Sequence, residues 1–158
     1  MMLYHGSYTV VAKPDVSFSR LRTDFGKGFY LTPMKDQAAR WAQRFLRERG
    51  SGVISLYEFL PHFPEIKIHT FDAYNAKWLD FITACRRGDA VDAGWDLIIG
   101  GIANDKVFDT LQLYFDRLIN ATEAIGRLQY DKPNIQYCFK TQAIIDGALR
   151  FAGSEILT

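Results

Sequence analysis

Two short stretches of the chain carry residue types suited to holding a planar, amide-bearing ligand. The first is Leu3-Tyr4-His5-Gly6-Ser7. Read as a strand, its alternation puts His5 and Ser7 on one face, while Gly6 leaves its backbone N–H and C=O open to close approach. Such a strand could hold an amide edge-on. The second stretch is Asp24-Phe25-Gly26-Lys27-Gly28-Phe29-Tyr30-Leu31-Thr32. Gly26 and Gly28 around Lys27 let a loop turn sharply into a strand, on which Tyr30 offers its ring for stacking. Each stretch also has a plain structural reading: an ordinary strand end for the first, a hairpin turn and a core tyrosine for the second. Neither is a phosphate-binding loop, because Gly26-Lys27-Gly28 lacks that motif's spacing and its following Ser or Thr.

A third candidate is Asn104-Asp105, which follows an apolar strand and the Gly100-Gly101 turn at a helix N-terminus. The pair could cap the helix, place the Asp105 carboxylate in a pocket, or turn the helix end toward a phosphate. His62 and His69 share no metal-ligand spacing with each other or with Cys85 and Cys138, so loop or surface roles and no metal are expected. Arg44, Arg47, Arg49, Arg86 and Arg87 read as solvated helix faces, one of which could meet an acidic partner or a phosphate.

Strands and helices must position these residues, and the apolar periodicity alternates between both. Met2 to Ser7 and Lys27 to Thr32 read as strands. Thr32-Pro33 reads as an N-cap followed by proline at the first helical position; Ala38, Ala42, Phe45 and Arg49 share a helical face, which predicts a helix to about Arg49, stopped by Gly50-Ser51-Gly52. Val53 to Phe59 and Glu65 to Phe71 read as strands separated by Pro61 and Pro64. A helix from about Ala76 to Arg87 carries Trp78, Ile82 and Cys85, and Asp96 to Gly100 is a short strand. Asn104 or Asp105 then caps a helix bearing Val107, Phe108, Leu111, Phe115 and Leu118. Ala121 to Leu128 reads as a short helix, Pro133 ends that region, and Ile135 to Lys140 alternates as a strand. Thr141 caps a terminal helix with Ile144, Ile145, Ala148 and Phe151. The sum is a mixed α+β domain of about five to seven strands.

Taken together, the two leading stretches resemble the ADP-ribosyltransferase superfamily, in its branch with the poly(ADP-ribose) polymerases. The matching residues are Tyr4-His5-Gly6-Ser7 and Phe25-Gly26-Lys27-Gly28-Phe29-Tyr30-Leu31, and their order, gap and following helix match as well. The chain also resembles a smaller bacterial family of unassigned function placed in that superfamily. Its blocks here are Asp24 to Tyr30, Ile99 to Asp105 and Gln136 to Thr141, and the likeness covers nearly the whole chain. The resemblance implies an ADP-ribosyltransferase-like fold, a mixed and mostly antiparallel split β-sheet flanked by helices, with NAD as substrate. It implies that His5 bonds the nicotinamide ribose, that Gly6 engages the carboxamide through its backbone, that Ser7 supports the amide and that Tyr30 stacks on the ring. Gly28 and Asn104 join that NAD-binding set. Trp41 falls where the superfamily often has a second stacking aromatic, or is a core residue.

One position departs from the polymerase pattern, which has a glutamate where this chain has Gln136. An amide bonds a ribose hydroxyl but carries no charge to stabilise a cationic sugar and is no useful base. Chain growth is therefore not expected, and mono-ADP-ribosyl transfer, slow NAD cleavage or binding alone remain, with Asp105 the candidate substitute for the missing carboxylate. The catalytic set implied is His5, Tyr30, Gln136 and Asp105. The acceptor would be a protein or a nucleic acid, and the bacterial resemblance implies a toxin role opposed by an antitoxin. Rival readings are an RNA 2′-phosphotransferase-type activity and a catalytically silent NAD-binding module.

Composition limits these readings. With 158 residues, 48% of them hydrophobic, the chain is long and apolar enough for one domain spanning 1–158, and no linker or repeat divides it. Nineteen Lys and Arg against eighteen Asp and Glu create no global field that would draw it onto nucleic acid or an anionic membrane. The N-terminus lacks a basic segment followed by an apolar one, and no apolar run approaches the roughly 20 residues that span a bilayer, so a cytoplasmic protein is expected. Cys85 and Cys138 are too few for a disulfide framework and are expected to be reduced.

Overall fold

The computed structural model describes residues 1–60, 65–103, 105–129 and 134–158, with Asp105 described through its backbone alone. These residues form seven strands and five helices: β1 (Met2–Ser7), β2 (Phe29–Leu31), α1 (Lys35–Arg49), β3 (Val53–Phe59), β4 (Ile68–Thr70), α2 (Ala76–Arg87), β5 (Leu97–Gly101), α3 (Asp105–Phe115), α4 (Ala121–Leu128), β6 (Ile135–Phe139), α5 (Gln142–Ala148) and β7 (Leu149–Ile156). A single 3₁₀ turn, Val16–Phe18, is held by the Asp15 carboxylate, which accepts from the Ser17 N–H.

The strands make two open sheets, one in the order β1-β3-β7 and one in the order β2-β6-β5-β4, antiparallel except for β4 beside β5. A bridge between Tyr4 and Thr32 joins them, with Tyr4 N–H donating to Thr32 O at 2.8 Å and Thr32 N–H returning to Tyr4 O at 3.0 Å. Alternation along each strand sorts the side chains into layers. Leu3, Phe29, Leu31, Tyr57, Phe59, Leu97 and Phe139 fill the space between the sheets together with Ile144, Ile145 and Ala148 of α5. On the far face of the second sheet, Ile98 and Cys138 pack with Phe25, Trp78, Ile82, Leu111, Ala124 and Leu128. On the far face of the first, Ile54 meets Ala38 and Ala42 of α1. The order is therefore helix, sheet, sheet, helices. Leu3, Phe25 and Phe139 are fully buried, each stabilising the fold by about 1.5–3 kcal/mol.

Several local expectations are corrected. α1 starts at Lys35 with Met34 as its N-cap, not at Thr32-Pro33. Thr32 is held instead by the Tyr4 bridge and by its own hydroxyl, which donates to Ile135 O and accepts from Met34 N–H. β2 is shorter than Lys27 to Thr32, because Lys27 lies exposed in the turn before it. β4 is only Ile68–Thr70, since Glu65 has φ 65 and leaves the extended region. β5 begins at Leu97, after Asp96, whose carboxylate accepts from Lys67 N–H. α3 stops at Phe115, so Leu118 is not on it; Arg117, at φ 60, breaks the helix. The terminal helix ends at Ala148, and Phe151 belongs to β7, which is antiparallel to β3. The helical stripe is cut short because the free edge of β3 takes up the tail as a strand. Pro61, Pro64 and Pro133 lie outside the described residues.

Candidate functional site

The clearest candidate lies where β1 leaves β2. Backbone groups of successive strand residues point to opposite edges. Tyr4 directs its N–H and C=O to Thr32, whereas Met1 O faces β3 through Phe59 N–H. Gly6 therefore turns its N–H and C=O to the same edge as Tyr4, away from β3, although its Cα still pairs with Ile54. Past the Tyr4–Thr32 bridge the two strands diverge, and among the described residues no group outside the strand ladder bonds Gly6. A donor and an acceptor thus stand side by side on an open edge, the pattern that a carboxamide matches.

α1 crosses β1 at this point. A Cβ on Gly6 would overlap the Ala38 carbonyl oxygen and come within 3.0 Å of Ala42 N and Trp41 Cβ. The glycine is thus required by helix packing, independently of any ligand. The helix is closed by Gly50 at φ 75, whose N–H donates to Leu46 O at 2.9 Å, as left-handed C-caps do. Trp41 is 51% exposed beside Gly6, so the core alternative for this residue is not realised and its indole is open for stacking.

His5 points to the inner face, as Leu3 does. Its Nδ1–H donates to Tyr30 O at 2.9 Å and its ring lies 4.7 Å from Phe29. Burial lowers its pKa from 6.5 against the opposing effect of the Tyr30 carbonyl. Near neutral pH the ring is neutral with the proton on Nδ1, which leaves Nε2 as an acceptor.

Tyr30 points the other way from Phe29, into the cluster with Cys138. Its hydroxyl donates to Gly26 O at 2.5 Å, accepts from Phe25 N–H at 3.0 Å and meets Thr23 Oγ1 at 2.9 Å. Burial raises its pKa well above 10.0, so the phenol is no acid or base near neutrality. It anchors the 23–26 loop instead. The imidazole of His5 and the ring of Tyr30 hence lie on different sides of β2. The Ser7 hydroxyl is spent locally, donating to Thr9 O at 2.6 Å and accepting from Thr9 N–H. Gly28 fits tightly against β6, where a Cβ would overlap Cys138 Sγ, and its N–H donates to Ser19 Oγ at 2.7 Å.

Gln136 is buried on the Tyr30 side of β6, in register with Gly100. Its Nε2 donates to Asp24 Oδ2 at 3.3 Å. Asp24 also accepts from Arg86 Nε at 3.1 Å, from Arg86 Nη2 at 2.5 Å and from Ala103 N–H at 3.4 Å. This pair is a correction, because Arg86 is not part of a solvated helix face: its side chain is 25% exposed and that of Asp24 only 13%. Asp24 thus occupies the Nε2 end of the Gln136 amide. Sequence reasoning missed this unit, since nothing in spacing links Asp24 to a residue 62 positions away.

Asn104 lies outside the described residues, and Asp105 opens α3 with its side chain not described. His62 is likewise outside them. His69 is not in a loop but in β4, its ring 4.5 Å from Phe71 and 4.8 Å from Trp95. Cys85 and Cys138 are free and buried, and burial pushes both thiols up to about 12; neither is a nucleophile at neutral pH. Two concave surfaces lie elsewhere, one lined by Lys13, Pro14, Gln142 and Asp146, the other by Arg86, Arg87, Tyr114 and Arg117. No described helix is long and apolar enough to cross a membrane.

Among the known families, the model described as "Protein of unknown function (DUF3990)" matches residues 1–151, and the chain belongs to that family. No curated protein and no solved structure matches the chain.

Proposed function

We propose that this chain binds NAD and acts as a mono-ADP-ribosyltransferase on a macromolecular acceptor. The observation that carries the reading is the Gly6 N–H and C=O on the open edge of β1, next to an exposed indole. A nicotinamide carboxamide fits that donor–acceptor pair, and its ring would lie on Trp41. The Tyr4–Thr32 bridge and the Thr32 bond to Ile135 O bring the start of β6 close to this crossing.

In this reaction class the bond between the ribose C1′ and nicotinamide breaks with its electron pair leaving on the ring nitrogen, and positive charge develops on the sugar. The acceptor's nucleophile forms the new bond to C1′ and releases its proton to solvent. The residues of this chain contribute placement. Gly6 holds the leaving carboxamide, Trp41 sets the ring plane, and the neutral His5 Nε2 accepts from a ribose hydroxyl. Tyr30 acts through the loop that carries Asp24.

A second reading, NAD binding without transfer, is favoured by one observation: the Asp24 charge is engaged by Arg86, so no unpaired carboxylate is described next to Gln136. Calorimetric titration of NAD into wild type and Trp41→Ala tests the pocket. Loss of a stacked ring should weaken binding about 2- to 12-fold. Equal affinity in both proteins would remove Trp41 and this edge from the reading. Incubation with labelled NAD and cell lysate separates the two activities, because transfer labels a macromolecule and binding alone does not. A toxin role opposed by an antitoxin rests on the same labelling: an acceptor whose modification stops growth supports it.

A further inference from the structure

Gln37, in the first turns of α1, is 5% exposed, and its Oε1 is buried with no hydrogen-bond partner among the described residues. An orphaned buried acceptor costs a fold about 1–3 kcal/mol. Methionine or leucine would fill the same space without that cost, so folding alone gives no reason for an amide here.

The position of Gln37 supplies one. Lys35 Nζ bonds Glu155 Oε1 on β7 at 2.7 Å, so that flank of α1 overlies the β3–β7 side of the sheet. Gln37 lies about 200° around the helix from Lys35, and Trp41 follows Gln37 by about one turn. Both therefore stand on the opposite flank, over the free edge of β1, to which Gly6 turns its N–H and C=O. The Trp41 Cβ lies 3.0 Å from where a Gly6 Cβ would be, which fixes how close this flank comes to the edge.

A carboxamide has one C=O and two N–H donors. Gly6 matches the C=O and one N–H, leaving the second N–H without an acceptor. We propose that Gln37 Oε1 is that acceptor and that it makes the site selective for a carboxamide over a carboxylate. This rests on the NAD reading and sharpens it. A carboxylate in the same place would set negative oxygen against two acceptors, the Gly6 carbonyl and Gln37 Oε1, and would offer them no proton.

The test is calorimetric titration of NAD and of its nicotinate analogue, which differ only at this group, into wild type, Gln37→Met and Gln37→Leu, with thermal unfolding of all three. Wild type should prefer NAD over the nicotinate analogue by roughly tenfold or more. Both variants should melt at or above the wild-type temperature, bind NAD about 5- to 10-fold more weakly and lose part of the preference, the remainder being held by the Gly6 carbonyl. Unchanged NAD affinity and preference in the variants would overturn the role of Gln37 while leaving the NAD reading intact. A lower melting temperature in both variants would mark Gln37 as structural and overturn it too. Failure of wild type to bind NAD would bring down the NAD reading, and this proposal with it.

Discussion

Asp24→Asn removes the charge of the Asp24–Arg86 pair while keeping its volume. Arg86 donates twice to Asp24 Oδ1, and the two side chains are only 13% and 25% exposed. Breaking a fully buried pair costs about 3–5 kcal/mol, because the remaining charge is left without a partner. Here a quarter of Arg86 still meets water, and its guanidinium lies 5.4 Å from the Phe108 ring and 6.0 Å from that of Phe115. That screening and ring contact reduce the expected loss to about 2–3 kcal/mol. In a chain of 158 residues each kcal/mol moves Tm by about 2–4 °C, so the variant should melt about 4–12 °C below wild type. Arg86→Met should cost a similar amount. The double variant should recover much of the sum, with a coupling of about 1.5–3 kcal/mol. Thermal and urea unfolding of the four proteins at pH 7 measures this cycle. Strictly additive losses would refute the claim that Asp24 and Arg86 act as one unit.

Gly6→Ala should lower stability by about 1–3 kcal/mol through overpacking against Ala38 O; an unchanged urea midpoint would contradict the close helix crossing. His5 has a folded pKa below its usual 6.5, so the unfolded chain takes up that proton first. The stability contributed by the neutral ring is present above pH 6.5 and is lost as pH falls through the folded pKa. Melting curves from pH 7.5 to 5.5 should therefore slope less in His5→Gln than in wild type, and parallel curves would count against a buried neutral imidazole. Gln136→Glu would replace the donor 3.3 Å from Asp24 Oδ2 with a second carboxylate, raising its folded pKa above the unfolded value. That variant should lose stability relative to wild type as pH rises through the raised pKa, and a pH-independent difference in Tm would be evidence against the Asp24–Gln136 contact.

Much of the architecture was legible because local patterns are strong. Met2 to Ser7, Val53 to Phe59 and Ala76 to Arg87 have the same bounds in sequence reading and structure, the last two being clear periods framed by glycine, proline or a capping Asn. Where two elements were compatible with one pattern, context decided. The tail to Phe151 reads as a continuation of the terminal helix, but from Leu149 it pairs with β3 because that edge is unfilled. Thr32 reads as a helix cap, but its backbone was already committed to Tyr4.

By itself the sequence determined an α+β chain, the open Gly6 backbone as a feature of interest, and the short blocks around His5, Tyr30 and Gln136 as candidates. These are properties of residue type and near-neighbour spacing, which periodicity and glycine geometry convert directly into local structure. Only the tertiary structure decided that Tyr30 faces away from His5, that Asp24 links Arg86 to Gln136, and that the Gln37 amide oxygen is buried without a partner among the described residues. Each of those depends on which elements meet across the fold, and such contacts are set by the packing of two sheets and their helices rather than by distance along the chain.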